Sequence, residues 1–326
     1  MKGLALARAY YETVGRVALQ ENVPALVPRM AVGLAGEGSE CFGFDDEWSR
    51  DHDWGPAFCI WLEEADYRAH GARVQAVYDS LPGEIEGFPA RENGAWSGGR
   101  VGCLCAPDWY RRYTGLPEGP ETLAQWRRVP EAFLATATNG EIFDDPLGRF
   151  TAVRERLSRF YPEDIRIKKL VARAAVMAQA GQYNYPRSMK RGETVAARLA
   201  LAEFTKAGIS MVYLLNRRYA PFYKWMHRGL KGLPKLPRAY EQFRLLGEAR
   251  PGAETEERIE GICLTVAAEL KRQGLTDRTE PFLQAHCLEM MKRIKDPRCG
   301  KRTSWRSDRH EKARGRDRRH GMGNVR

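Results

Sequence analysis

Apolar residues at helical spacing open the chain: Leu4, Ala7, Tyr10, Tyr11, Val14, Val17 and Leu19 predict a packing helix within residues 1 to 25. The pattern then shortens. Ala31-Val-Gly-Leu-Ala35 is a continuous apolar run ending at Gly36 and Gly38, as expected of a short buried strand leading into a glycine turn. Residues 40 to 50 suit a short helix or turn, and a second strand is expected from Asp53 through Phe58-Cys-Ile-Trp-Leu62. Helical spacing returns over 66 to 80 and stops at Pro82-Gly83. Two extended segments, 84 to 89 and 100 to 105, flank the turn signals Asn93-Gly94 and Gly98-Gly99, which suit a hairpin or neighbouring strands. On this pattern a small mixed α/β layer is complete by about residue 105. Residues 106 to 150 then read as a connecting region with short helices at 109 to 113, 123 to 126 and 130 to 137.

From residue 151 helix signals repeat without a strand pattern. Pro162 suits a first helical turn, and Ile165, Leu170, Val171, Ala174, Met177 and Ala178 share a face behind it. The run 193 to 215 is rich in Ala, Leu and Val but carries Arg198, Glu203 and Lys206, which marks a central bundle helix and not a membrane span. Further helices are expected at 221 to 228, 237 to 246, 254 to 273 and 280 to 294. The fold class is therefore α+β, a small mixed-sheet domain (1–150, connecting region included) followed by an all-α helical bundle (151–296). Residues 297 to 326 lack apolar periodicity and read as a disordered basic tail.

Charge changes the picture only once it is located. The net charge is +11, but residues 292 to 326 hold 14 Lys/Arg against 4 Asp/Glu, leaving 39 against 38 in the body. A nearly neutral body argues against a processive polynucleotide polymerase, which needs a basic track; nucleic acid is expected only as a nonspecific contact of the tail. Seven cysteines, several inside apolar runs (Cys59, Cys103, Cys105, Cys263), read as small buried hydrophobes of a reducing compartment. With no apolar run of eighteen residues and no signal-peptide pattern, a cytoplasmic protein without membrane association is expected.

The candidate chemistry lies in residues 36 to 56, Gly-Glu-Gly-Ser-Glu-Cys-Phe-Gly-Phe-Asp-Asp-Glu-Trp-Ser-Arg-Asp-His-Asp-Trp-Gly-Pro. If Asp51 and Asp53 open a strand, they project from one face and offer their oxygens to one divalent cation, while His52 faces away. A buried strand, a Gly-Ser turn, a short insertion and then D-x-D resembles the nucleotidyltransferase (polymerase-beta-like) superfamily. More narrowly, the stretch resembles the signature of the DUF4037 family. Ala180-Gly-Gln-Tyr-Asn-Tyr-Pro-Arg187, Lys190-Arg-Gly-Glu193 and Leu214-Leu-Asn-Arg-Arg-Tyr-Ala-Pro-Phe-Tyr-Lys-Trp225 are similar to that family's helical half.

The resemblance implies that Gly38 and Ser39 cradle the phosphates of a nucleoside triphosphate, ATP by preference, and that Asp51 and Asp53 hold magnesium. It implies transfer of a nucleoside monophosphate to a hydroxyl acceptor, a small molecule as in the aminoglycoside nucleotidyltransferases. The alternatives are a protein-modifying, adenylylating transferase acting on a protein partner, and an inactive nucleotide-binding regulator. The resemblance also calls for a third carboxylate. Val101-Gly-Cys-Leu104 has none, which leaves Glu84 or Glu86, with Glu86 taken as the catalytic candidate. In the helical half, Arg187, Arg191 and Lys224 are the residues expected to neutralise triphosphate, with Asn184, Asn216 and Tyr219 nearby and Tyr223 or Trp225 able to stack.

Overall fold

Apolar side chains at every position but Gly33, buried on both faces, make β1 (Ala31–Leu34) and β2 (Cys59–Leu62) the centre of the fold. The computed structural model describes residues 1–50, 54–85, 87–89, 91 and 99–300. The remaining strands are a short hairpin, β3 (Glu84–Ile85) with β4 (Phe88–Pro89), then β5 (Gly102–Cys105) and β6 (Glu141–Asp144). The main sheet has the order β5-β2-β1-β6, with β1 antiparallel to both neighbours and β5 parallel to β2.

Alternation divides the sheet's residues between two cores. Val32, Ile60, Leu62 and Cys103 face the opening helix, which runs as α1 (Gly3–Tyr10), a π turn (Tyr11–Gly15) and α2 (Arg16–Asn22), and the crossover helix α3 (Glu64–Asp79). Ala31, Cys59 and Trp61 face the other way. Trp61 stacks on Phe150 at 4.1 Å and meets Trp109 edge-on at 5.6 Å.

That second core continues into helices. They are α4 (Ala106–Thr114), α5 (Leu123–Arg128), α6 (Glu131–Thr138), α7 (Arg149–Ser158), α8 (Glu163–Val176), α9 (Tyr185–Lys190), α10 (Thr194–Leu215), α11 (Tyr223–Met226), α12 (Ala239–Glu248), α13 (Ala253–Arg272), α14 (Gln284–Lys292) and α15 (Pro297–Gly300). The protein is α+β, a mixed four-stranded sheet with helices followed by a largely helical region. The central helix is α10, buried on all sides from Ala207 to Leu215. Its C-terminal carbonyls accept from cations and an amide: Arg166 Nε donates to Leu214 O at 3.0 Å, and Lys235 Nζ (3.2 Å) and Gln273 Nε2 (3.0 Å) donate to Leu215 O. Among the described residues no helix is long and apolar enough to cross a membrane.

Four expectations need correction. The sheet is not complete by residue 105: β6, inside the expected connecting region, pairs with β1 and closes that side. Four residues of mixed polarity gave too short a pattern to announce a strand. The second strand begins at Cys59 and not at Asp53, because Gly55-Pro56 interrupts the extension and proline has no N–H for a ladder. Asp51, His52 and Asp53 themselves lie outside the described residues. Segments 84–89 and 100–105 are not partners of each other: the first folds on itself as β3–β4, and β5 reaches β2 in parallel through the α3 crossover. Finally, residues 297–300, assigned to the tail, form α15, with Cys299 buried and its carbonyl accepting from Lys168 at 2.7 Å. Residues 301–326 are outside the described set.

The pairing brings the C-terminal end of β1 and the N-terminal ends of β2, β5 and β6 to one edge, through Gly33↔Cys59, Cys59↔Gly102 and Leu34↔Glu141. At that edge Gly140 has φ +67° and a Cβ there would sit 1.9 Å from Leu34 O, whereas Gly148 has φ +66° with open space around it. Gly148→Ala is expected to cost about 1–2 kcal/mol, the conformational penalty alone. Gly140→Ala should cost more than that by urea unfolding, and equal costs would show that the β1–β6 approach is slack.

Cys59 is fully buried and its thiol is pushed up to about 12 by burial. The folded state thus keeps a proton that the unfolded thiol releases near pH 9, so stability falls as pH rises from about 9 towards 12. At pH 8 a thiol reagent is expected to leave Cys59 unmodified in the native protein and to modify it rapidly once denatured.

Candidate functional site

The turn that leaves β1 is held from the start of β6. Gly36 N–H donates to Asn139 Oδ1 at 3.0 Å, and Asn139 Nδ2 donates to Gly36 O at 2.7 Å. Arg154 donates to the carbonyls of Asn139 and Gly140, the latter at 2.9 Å, and Gly140 N–H donates to Cys41 O at 2.8 Å. This clamp fixes residues 36 to 41 at the edge where the four strands meet.

Arginines converge on the same turn. Arg91 pairs with Glu40 at 3.1 Å, the two side chains only 5% and 4% exposed, and Glu37 lies 3.4 Å from Arg100 and 3.5 Å from Arg112. Glu40 folds beneath the turn so closely that a Cβ on Gly38 would lie 2.3 Å from its carboxylate, which is why glycine stands there. Burial, with the Glu40 carboxylate beside it, raises the Cys41 thiol well above its usual range. Three guanidinium groups meet two carboxylates around a space of about 10 Å³, room for a single water.

The next residues tie the turn to other elements. Asp45 is buried and accepts from Gly3 N–H at 2.8 Å, satisfying a first-turn donor of α1, with Trp54 Nε1 at 3.4 Å. Trp54, which follows Asp53, thus lies against the start of α1, and Phe88 of β4 meets it edge-on at 5.5 Å. Asp46 reaches the helical region through Arg228 at 2.9 Å, and hydrogen bonds from Arg228 and Ser49 hold its carboxyl below the usual range.

On the far side of Phe42 and Asn139 a cleft of about 560 Å³ opens against the C-terminal end of α10, a size suited to a small-molecule ligand. Arg217 and Arg218, which leave α10, and Arg228 and Lys231 line it. The helix ends in a Schellman turn, with Arg218 N–H donating to Tyr213 O at 3.0 Å and Arg217 N–H to Leu214 O at 3.2 Å. Glycine is the usual residue at this left-handed position, yet Arg217 holds φ +53°, and Phe160, also in the cleft wall, holds φ +76°. Each costs about 1–2 kcal/mol of backbone strain.

The structure treats the expected site residues unequally. Gly38 lies in the turn and lines the small space beside the arginines; Ser39 precedes the 3₁₀ turn Glu40–Phe42, its carbonyl accepting from Phe42 and Phe44 N–H. Asp51, Asp53 and Glu86 lie outside the described residues. Glu84 is exposed on β3. Arg187, over the Tyr183 ring at 4.8 Å, and Arg191 are exposed at the N-terminal end of α10. The 22 residues of α10 span about 33 Å, so these two stand at the opposite end of that helix from the cleft. Lys224 is exposed over Trp225 at 5.4 Å, and Trp225 touches Phe44 in the cleft wall. None of these three cations lines either space.

Sequence reasoning missed Arg91, Arg100 and Arg112 at the turn and Arg217, Arg218, Arg228 and Lys231 in the cleft. The adjacent pair Arg217-Arg218 just past a long helix was the one available signal. Among the described residues no group of three His, Cys, Asp or Glu side chains could hold a metal ion.

Residues 126–226 match the family described as "Domain of unknown function (DUF4037)", so the chain carries a DUF4037 domain. The matched span takes in the three helical stretches quoted above and leaves residues 36–56 outside. In structure the chain is similar to a nucleotidyltransferase-like protein from Exiguobacterium sibiricum 255-15, with a TM-score of 0.35 and 12% identity over 87% of this chain and 79% of that one. No curated protein matches. The site rests on the geometry above and not on this loose likeness.

Removing one partner of the Arg91–Glu40 pair leaves the other charge buried. Arg91→Met alone is expected to destabilise by about 3–5 kcal/mol. Pairing it with Glu40→Gln should recover most of that loss in urea unfolding; a double variant as unstable as the single would show that packing, not charge, holds the turn.

Proposed function

We propose that this protein is a nucleotidyltransferase, moving a nucleoside monophosphate from a magnesium-bound nucleoside triphosphate, ATP first among them, to a hydroxyl of a small-molecule acceptor. The observation that carries the reading is the strand pairing, which gathers the Gly36–Ser39 turn and Arg100 at one sheet edge. In this reading residues 1–150 form the catalytic unit and 151–296 the bundle that closes over it.

The acceptor oxygen forms a bond to the α-phosphorus, the bond from that phosphorus to its bridging oxygen breaks, and pyrophosphate leaves with the electron pair. The hydroxyl proton passes to a carboxylate base, for which Glu86 is the candidate, or to water. Gly38 and Ser39 let backbone approach the phosphates, and Arg100 and Arg112 exchange Glu37 for phosphate oxygens. These two arginines replace Arg187, Arg191 and Lys224 as the preferred phosphate ligands. Asp51 and Asp53 would hold magnesium, which when bound supplies neutralisation of the phosphate charge. The described carboxylates of this edge do not substitute for them, since Glu37, Glu40 and Glu141 are engaged by arginines.

That engagement also favours a second reading, a regulator that binds nucleotide without turnover. Titration of magnesium nucleotides into the wild type and into Asp51→Asn/Asp53→Asn separates binding from its absence: the variant is expected to lose at least about tenfold in affinity, and unchanged affinity would sink the metal site. Label from the α-phosphate of ATP should then appear on a small molecule of a cell extract. Label on protein favours the adenylylating alternative, and retention as bound nucleotide favours the regulator.

A further inference from the structure

The cleft at the end of α10 is charged in one sense only. Arg217, Arg218, Arg228 and Lys231 line it, and among the described residues no Asp or Glu does. Two of the four have acidic partners outside the lining, Arg217 with Glu163 at 2.6 Å and Arg228 with Asp46 at 2.9 Å. Among the described residues Arg218 and Lys231 have none, and both are exposed. Like charges crowded at one end of a helix repel, so the arrangement is stable in water but gains when an anion enters.

Aromatic rings line the same cleft. Phe42 and Phe44 lie parallel within 7° at 6.2 Å between centroids, both partly exposed. Of the three non-glycine residues with positive φ among the described residues, Phe160 and Arg217 belong to this cleft, and backbone strain of this kind gathers at ligand sites. Asn139 lines the cleft and also holds Gly36, so a molecule bound here abuts the turn proposed to carry the triphosphate.

We infer that this cleft binds the acceptor, and that the acceptor is a phosphorylated small molecule bearing a planar ring. The word acceptor rests on the nucleotidyl-transfer reading; the ligand chemistry, a phosphate with a ring, stands on the cleft alone. A polycationic acceptor of the aminoglycoside kind does not suit these walls.

Phenyl phosphate is the probe, titrated into the full chain in the presence of a chelator and followed by isothermal titration calorimetry, with inorganic phosphate and phenol as the charge-only and ring-only controls. Phenyl phosphate should bind more tightly than either control. Arg218→Ala/Lys231→Ala, two exposed positions, should keep the wild-type melting temperature and lose about tenfold or more in phenyl phosphate affinity, while Arg112→Ala at the turn changes it less than about twofold. Unchanged affinity in the double variant, or phenol binding as tightly as phenyl phosphate, overturns the inference. Magnesium-ATP affinity retained by the double variant supports a separate acceptor site; its loss would make the cleft the nucleotide's own and overturn the acceptor assignment. If Asp51→Asn/Asp53→Asn binds magnesium-ATP like wild type, the transfer reading falls while a phosphate-and-ring site in the cleft stands.

Discussion

Two hydrogen bonds between the Asn139 side chain and the backbone of Gly36 fix how the sheet meets the helices. Gly36 is buried, and in its turn neither its N–H nor its C=O has a strand to pair with. A side-chain amide carries a donor and an acceptor on neighbouring atoms, so it serves the carbonyl and the N–H of the same residue at once. Losing it would leave two backbone groups short of partners, at about 1–3 kcal/mol each. Because Arg154 of α7 holds the backbone of Asn139 and Gly140 in turn, the clamp transmits the position of a helix to the turn. The same residue faces the cleft, so the two spaces at this edge share one wall.

The helical region is anchored by a similar logic at α10. Its carbonyl end draws Arg166 and Lys235, whose charges complement the negative end of the helix dipole. In its C-terminal third, Ser210 donates to Glu131 of α6 at 2.8 Å while accepting from Arg173 of α8 at the same distance, and Arg173 reaches Glu131 at 3.0 Å. Three helices thus share one closed polar network, with each member satisfied.

The helices were legible because a 3.6-residue period persists over ten or more positions; α3, α8, α10 and α13 stand close to where the apolar spacing put them. Short strands carry no such redundancy. Glu141-Ile-Phe-Asp144 became a strand through its partner β1, a tertiary effect that no local pattern encodes, although Asn139-Gly140 was a turn signal in front of it. At the site, the Gly-Ser turn could be read from residue size, whereas the convergence of Arg91, Arg100 and Arg112 required the β5–β2 pairing and the position of α4. Arg187 and Arg191 were attractive as cations near polar residues, but sequence order does not reveal which end of a 22-residue helix faces the sheet.

The two basic spaces at this edge differ in one physical respect that separates their roles. At the turn, each arginine faces a carboxylate, so an incoming phosphate must exchange with Glu37 or Glu40 and gains only the difference between two charge-assisted contacts. In the cleft Arg217 and Arg228 are paired with Glu163 and Asp46, but among the described residues Arg218 and Lys231 have no acidic partner, so an anion that meets those two gains the full interaction less its own desolvation. A largely neutralised site, three guanidinium groups to two carboxylates, suits a ligand that arrives with its own counter-ion, as a magnesium triphosphate does. One with two unpaired cations suits a ligand that arrives bare. In the transfer reading proposed above, this division of charge on the two sides of Asn139 assigns the turn to the metal-bound substrate and the cleft to the metal-free one.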